Sequence, residues 1–303
     1  MNELSNVITD HLDRSRSHQD RRGRRRRSAL STVFFGFSWI GLALIVIPAI
    51  IIVAGVVKRA APYMSFSVLT TGTVGVGGGL KSEILGTLLI TFGVAVFAGI
   101  VGVAGGLFLA YYAPPRLGSL LRSGVEILAG IPSIAIGYVG YLALVVHFHW
   151  GFSLGAGIIT LSILVVPYIA KTTEVAVRQV PTSYVEGAEA LGVREGMILR
   201  SLVLKTALPG IVTGLIVAVA ISIGETAPLL YTAGYSAQNP VLHLTHSPTG
   251  YLTYAVWTFY NQPVVAAQHL AADAALLLII GVVALIIIAR ILVAITQRHT
   301  ESR

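Results

Sequence analysis

Residues 33–57 carry no charge. As a helix rising about 1.5 Å per residue they reach roughly 37 Å, enough to cross a hydrocarbon core of about 30 Å. This restricts the fold more than any other feature. In lipid every backbone N–H and C=O must find a partner inside the protein, and a helix supplies those partners locally. Apolar runs of similar length recur at about 84–112, 120–146, 152–170, 208–231 and 270–293. Charged residues make up 11% of the 303-residue chain, against about a quarter in soluble domains. The expected fold is all-α: a polytopic membrane protein with six transmembrane helices in a lipid bilayer. Cysteine is absent, which removes disulfides, Cys-based metal sites and a thiol nucleophile.

Six spans place both termini on one side. Of 21 Lys and Arg, 18 lie in the N-terminal tail, the 113–122 turn, the 171–206 segment and the C-terminal end 298–303 with its approach. The opposite loops hold only Lys58, Arg59 and Lys81. The positive-inside rule therefore predicts cytoplasmic termini. Residues 1–32 are polar without an apolar period, which predicts a disordered basic cytosolic tail. Their RRGRRRR run invites a nucleic-acid reading. A span follows at once, so the run is expected to set topology and meet anionic lipid, with no nucleic acid as partner. The first apolar run is too long for a signal-peptide core, and no small-residue cleavage site closes it. Residues 33–83 then hold the first span and an external loop, glycine-rich from Gly72 to Gly79. A phosphate loop needs Gly directly before its Lys, and Leu80 precedes Lys81. A flexible loop is expected there instead.

The transmembrane body is expected over 84–297. Its first span carries Gly102 and Gly106, and the 208–231 span carries Gly210 and Gly214. This spacing of small residues lets helices approach closely in lipid. Arg122 and Glu126 stand four apart, so a pair on one helix face is expected. Ala129-Gly130-Ile131-Pro132-Ser133 interrupts the 120–146 span. Broken backbone at membrane depth is tolerated against protein or a water-filled cavity, which places Pro132 and Ser133 on a translocation path. Pro167 predicts a kink near the end of the fourth span. Glu225 falls about 27 Å along the fifth span. An ionisable group there is a functional candidate by default; the alternative is a hydrogen-bonded packing role. Thr226 and Pro228 are expected to shape the helix end beside it. Asp273 is expected to be a charge at the start of the sixth span.

Between the fourth and fifth spans lies a polar segment where a short loop would suffice. Pro181-Thr182 opens a helix, and Ser183 with Glu186 fits a capping box. Tyr184, Ala188 and Leu191 recur at helical spacing and predict one apolar stripe. Gly192 can close the helix in a left-handed turn. A second helix over about 194–204 would lead back to the membrane. Two cytosolic helices at 183–204 form a docking element for another protein, an amphipathic helix suited to a groove.

Glu186-Gly187-Ala188-Glu189-Ala190-Leu191-Gly192, followed by Pro209-Gly210-Ile211, resembles the EAA loop of ABC importer permeases. Gly187 stands where that motif has Ala, and Lys205 where a Pro is usual. Gly86-Thr87-Leu88, Ile131-Pro132-Ser133-Ile134 and Ile223-Gly224-Glu225-Thr226-Ala227-Pro228-Leu229-Leu230 are similar to PstA-type permeases of phosphate importers, over about 84–297. The resemblance implies a type I ABC importer permease fold in a bacterial cytoplasmic membrane. Residues 186–192 would couple to the ATPase. Glu225, Thr226, Pro132 and Ser133 would line the path or its gate. It also implies a homologous PstC-like permease, a PstB-like ATPase dimer and an external PstS-like phosphate-binding protein as partners. ATP would be bound by the ATPase, so the chain itself needs no cofactor and is not an enzyme. Ile221 occupies a position where such permeases carry Arg. A permease for another oxyanion, sulfate or molybdate, is the alternative substrate class.

Other classes fit less well. A membrane serine protease needs a His base inside the membrane, and the spans lack one except for His269 at a boundary. His147, His149, His243 and His246 are four possible zinc ligands, but nothing in the sequence brings the two pairs together. A secondary transporter would explain the broken span but not the docking helices.

Overall fold

The computed structural model of this chain describes residues 34–75 and 77–301. The expected basic tail 1–32 lies outside the described residues, as do the last two residues of the expected end 298–303. The chain divides into two compact units at Gly55 and Val56. Helix α1 (Phe34–Ala60) forms the described part of the first and begins the second; its mean hydropathy reaches 3.0.

In the second unit a short helix α2 (Phe66–Thr70) leads into an antiparallel hairpin, β1 (Thr73–Val74) with β2 (Gly77–Gly78). Within the glycine-rich loop, residues 73–74 and 77–78 thus pair as a hairpin, an element the sequence did not predict. Gly75 and Gly78 take φ of 61° and 86°, which permits the tight reversal. The transmembrane elements follow: α3 (Lys81–Leu107) with a π-turn at Phe108–Tyr112, α4 (Pro115–Gly130), α5 (Ser133–Gly140) with a π-turn at Tyr141–His147, and α6 (Leu154–Arg178). Helix α7 (Thr182–Ala190) comes next. Then α8 (Glu195–Ile198), a π-turn at Leu199–Val203 and α9 (Leu204–Gly224) form one continuous 30-residue helix. The chain closes with α10 (Ala227–Thr232), α11 (Leu252–Tyr260) and α12 (Val265–Glu301).

Among the described residues five helices are long and apolar enough to cross a membrane: α1, α3, α6, α8–α9 and α12. The bent pair α4–α5 makes a sixth span if it is counted as one. The span expected over 120–146 is bent by 97° between its halves. Pro132 lacks an N–H, and its ring excludes the carbonyl four residues back, so the helix ends at Gly130 and restarts at Ser133. The fifth span ends at Gly224 rather than Tyr231, because Pro228 imposes the same restriction. Pro167 sits inside α6 without a break, and α6 runs eight residues past the expected end.

Helix α6 is the hub. Gly102 and Gly106 of α3 face Ile169 and Thr173, and Gly210 and Gly214 of α9 face Ala176 and Thr172. Each glycine seats one helix backbone against side chains of the next, as the spacing predicts. Ile90, Val94, Ala98, Leu161, Val165, Ile169, Ala218 and Leu229 fill the space between. Outside this bundle, residues 150–155 and 232–250 are tied by backbone bonds, among them Ser153 N–H to Thr232 O at 3.0 Å and His246 N–H to Trp150 O at 2.7 Å.

A Cβ at Gly86 would overlap the Gly250 carbonyl oxygen, whereas nothing lies within 4 Å of one at Gly124. Gly86→Val should therefore destabilise by about 1–3 kcal/mol or more. Gly124→Ala should be neutral or stabilising by up to about 1 kcal/mol. Thermal unfolding in detergent micelles checks both.

Candidate functional site

The segment expected to dock another protein follows the end of α6. Pro181 is the N-cap of α7, with φ −59° and ψ 129°. Proline's fixed φ suits a helix start, so the N-cap lies two residues before Ser183 and the helix opens at Thr182. Ser183 is already helical, and the expected Ser183–Glu186 capping box does not form. Gly192 does close the helix. It takes φ 74°, with Gly192 N–H to Glu189 O at 2.8 Å and Val193 N–H to Ala188 O at 3.1 Å. This is a Schellman closure, which only a left-handed residue permits.

The expected apolar stripe divides in two. Val185, Ala188 and Val193 pack on Val177, Val180, Ile198 and Val203 and hold α7 to its own chain. Tyr184 is 54% exposed and Leu191 84% exposed, and Met197 of α8 is 58% exposed. Glu186, Gly187, Glu189, Ala190 and Gly192 are exposed as well. The outcome is an anchored helix offering two large apolar side chains, two acids and a glycine to whatever meets it. Exposed apolar groups rimmed by charge mark an interaction surface.

The two helix breaks come together at the other end. Glu225 is not inside a helix: it caps α9 with extended backbone, φ −74° and ψ 133°. Its side chain is half-buried, and its carbonyl accepts from Thr253 Oγ1 at 3.1 Å. Among the described residues no cation pairs with its carboxylate. Thr226, half-buried, is the N-cap of α10. Pro132 is exposed and is the N-cap of α5, and Ser133 is half-buried beside it. The short helices that follow the breaks pack on each other. A Cβ at Gly137 of α5 would lie 2.7 Å from Pro228 Cα, and Tyr138 meets Tyr231 edge-on at 6.2 Å. Glu225–Thr226 and Pro132–Ser133 therefore introduce paired helices. Ile221, about one helical turn before Glu225, is exposed.

Three further arrangements were not legible beforehand. Glu83, fully buried at the start of α3, accepts from Thr73 Oγ1 at 2.7 Å and from Tyr235 OH at 2.9 Å. One carboxylate thus ties the hairpin to the 233–251 loop. Burial first, then the adjacent Glu83 carboxylate, pushes the Tyr235 phenol well above its ordinary range. No spacing in the sequence signals a contact across 152 positions. Arg122 does not pair with Glu126. Its Nε donates to Glu174 Oε1 at 2.6 Å, and Glu126 instead accepts from Lys171 Nζ at 3.2 Å. The extension of α6 past Ala170 brings Glu174 and Lys171 alongside α4, and cross-helix partners replace the local one. The Glu174–Arg178 pair at 3.0 Å has i,i+4 spacing, a sequence signal that could have found it. Asp273 lies well inside α12 and is 2% exposed, with no hydrogen bond to Oδ1, so it is a buried acid rather than a boundary charge. The two His pairs do share a neighbourhood through Trp150 and His246, yet no three potential metal ligands cluster among the described residues.

This architecture is that of a type I ABC importer permease. A solved inward-facing MetNI methionine ABC transporter contains a similar chain, with a TM-score of 0.61, 23% identity, and coverage of 72% of this chain and 95% of that one. Residues 102–302 match the family described as binding-protein-dependent transport system inner membrane component. The chain is 52% identical over 276 residues to phosphate transport system permease protein PstA 2 of Mycobacterium bovis, covering 91% of this chain and 92% of the relative. It is 33% identical over 291 residues to PstA of Yersinia pestis, covering 93% and 95%. The chain belongs to the family of inner-membrane components of binding-protein-dependent transport systems.

Tyr235→Phe removes one donor from a buried carboxylate and should cost about 1–3 kcal/mol, read by thermal unfolding in detergent. Because the folded-state phenol is raised, its contribution is complete below the unfolded value of about 10 and is lost as pH rises beyond it. The variant should accordingly lose less stability above about pH 10 than the parent.

Proposed function

We propose that this chain is the PstA-type half of an ATP-driven phosphate importer. The observation that carries this is the anchored α7 with its outward Tyr184 and Leu191, joined to helices that lead to the two paired breaks. Relatives named as phosphate transport permeases supply the substrate class. The partners are a homologous permease, an ATPase dimer and an external phosphate-binding protein. ATP is bound and hydrolysed by the ATPase, so this chain has no catalytic group and no cofactor of its own. The asymmetry of Lys and Arg supports cytoplasmic termini and a cytosolic α7, in a bacterial cytoplasmic membrane.

In this mechanism residues 186–192 sit in a groove of the ATPase. Closure of the ATPase displaces α7 and α8. Since α8 and α9 are one helix, the displacement reaches Gly224 directly. The breaks at Pro132–Ser133 and Glu225–Thr226 let α5 and α10 reorient as a packed pair, which opens one side of the path and closes the other. Glu225 pairs with a cation of the neighbouring permease, because a bare carboxylate repels phosphate. With Ile221 uncharged, that cation belongs to the partner. Import needs an energy source: an anion enters against an inside-negative potential at about 2.3 kcal/mol per charge per 100 mV.

In proteoliposomes holding the four-component complex, Glu225→Gln should lower phosphate uptake about tenfold or more, the scale of one charge-assisted contact; wild-type uptake would remove Glu225 from the mechanism. Deleting residues 183–192 should leave membrane insertion intact and abolish ATP-coupled uptake. Uptake that survives the deletion would favour a secondary transporter.

A further inference from the structure

The contact between α4 and α6 is more elaborate than an incidental ion pair. The π-turn at the end of α3 sends Ala113 N–H to Phe108 O at 2.8 Å. Leu109 O then has no backbone donor, since the next one in register is Pro114, which has no N–H. Arg122 Nη2 fills the vacancy at 2.9 Å, while its Nε donates to Glu174 Oε1 at 2.6 Å. Arg178 reaches the same oxygen from one turn further along α6, at 3.0 Å. Glu174 is 4% exposed, so its charge depends on these two guanidinium groups. Gly118 is buried where a Cβ would lie 3.1 Å from Arg122 Nη1; its missing side chain makes room for the guanidinium. Three helices therefore meet at one carboxylate and one guanidinium. The nearby Lys171–Glu126 pair is exposed on both sides and adds little.

The position of this node gives it a role. Helix α6 passes through Gln179–Pro181 directly into α7. Helix α4 passes through the 97° bend at Ile131–Pro132 into α5, whose Gly137 face carries Pro228 of α10. We infer that Glu174 is a positioning residue for coupled transport: with Arg122 it locks α4 to α6 as one body, so that movement of the docking helix reaches the Pro132 break. Removing one partner of a buried, hydrogen-bonded charge pair strands the other, so the two helices stay together through the cycle and the bend absorbs the motion. This rests on the importer reading above.

The test uses the reconstituted complex, with phosphate uptake and ATP hydrolysis measured on the same vesicles. Glu174→Gln should hydrolyse ATP while its phosphate-to-ATP ratio falls about tenfold, the scale of a lost coupling contact. Because the chain has no cysteine, the double variant Arg122→Cys with Glu174→Cys can be bridged by a reducible bis-methanethiosulfonate linker, each protein thiol displacing one methanesulfinate to form a disulfide. Its ratio should be low when reduced and should recover when bridged. A purely structural role predicts a change in yield or thermal midpoint with the ratio intact, and that result overturns the inference. So does a ratio that stays low after bridging, since the helices would then have to part in each cycle. Failure of Glu174→Gln to assemble, with the bridged pair also uncoupled, overturns it equally. Absence of ATP-driven uptake in the unaltered complex defeats the importer reading itself and is distinguishable from all of these.

Discussion

Everything in this fold depends on the backbone-close seating of α3 and α9 against α6. Lipid tails are as apolar as leucine, so hydrophobic burial does not draw spans together as it would in water. Association rests on dispersion, and dispersion needs surfaces within about 4 Å. Gly102, Gly106, Gly210 and Gly214 provide that proximity on two neighbouring stripes of one helix. With α6 fixed, its end near Arg178 carries α7 at a defined angle, and Thr160 of α6 receives α5 at Gly140. The exposed face of α7 and the broken helices are thus referenced to the same rod.

Motion has to come from where that rod is absent. The chain leaves helical geometry at Ile131–Pro132 and at Glu225–Thr226; Pro132 ends the first interruption and Pro228 stands in the first turn of the helix after the second, and neither proline can continue the preceding turn. Both are followed by short helices that touch through Gly137 and Pro228. A rigid scaffold with two breaks and one shared contact can adopt discrete arrangements. The two routes from α7 toward the breaks differ in kind. One is covalent, through the unbroken α8–α9 helix. The other crosses from α6 to α4 at the Arg122–Glu174 contact.

Much of this was legible because it is local. Apolar length located the spans, Gly192 marked a left-handed closure, and Pro132 marked a break. The polar helix between the fourth and fifth spans announced itself through composition in the wrong place for a loop. What was not legible depends on register between distant segments. Arg122 pairs with Glu174 because α6 extends past Ala170, and hydropathy cannot place that end once Lys171 lowers the local average. Glu83 gains its meaning only when Tyr235 folds back 152 positions. Glu225 looked helical because the run around it is apolar; the cost of Pro228 to the preceding turn outweighs that pattern. The Ser183–Glu186 box failed for a similar reason, since Pro181 starts the helix early.

The central claim is that the path is driven by nucleotide through a docked helix, not by an ion gradient through the path itself. The most direct measurement is uptake of labelled phosphate into proteoliposomes holding this chain, its partner permease, the ATPase and the binding protein. ATP is enclosed on the α7 side, and ion gradients are collapsed with ionophores. The account predicts accumulation above the external concentration that requires ATP and persists without any gradient. Accumulation that vanishes with the gradient and is indifferent to ATP would contradict it.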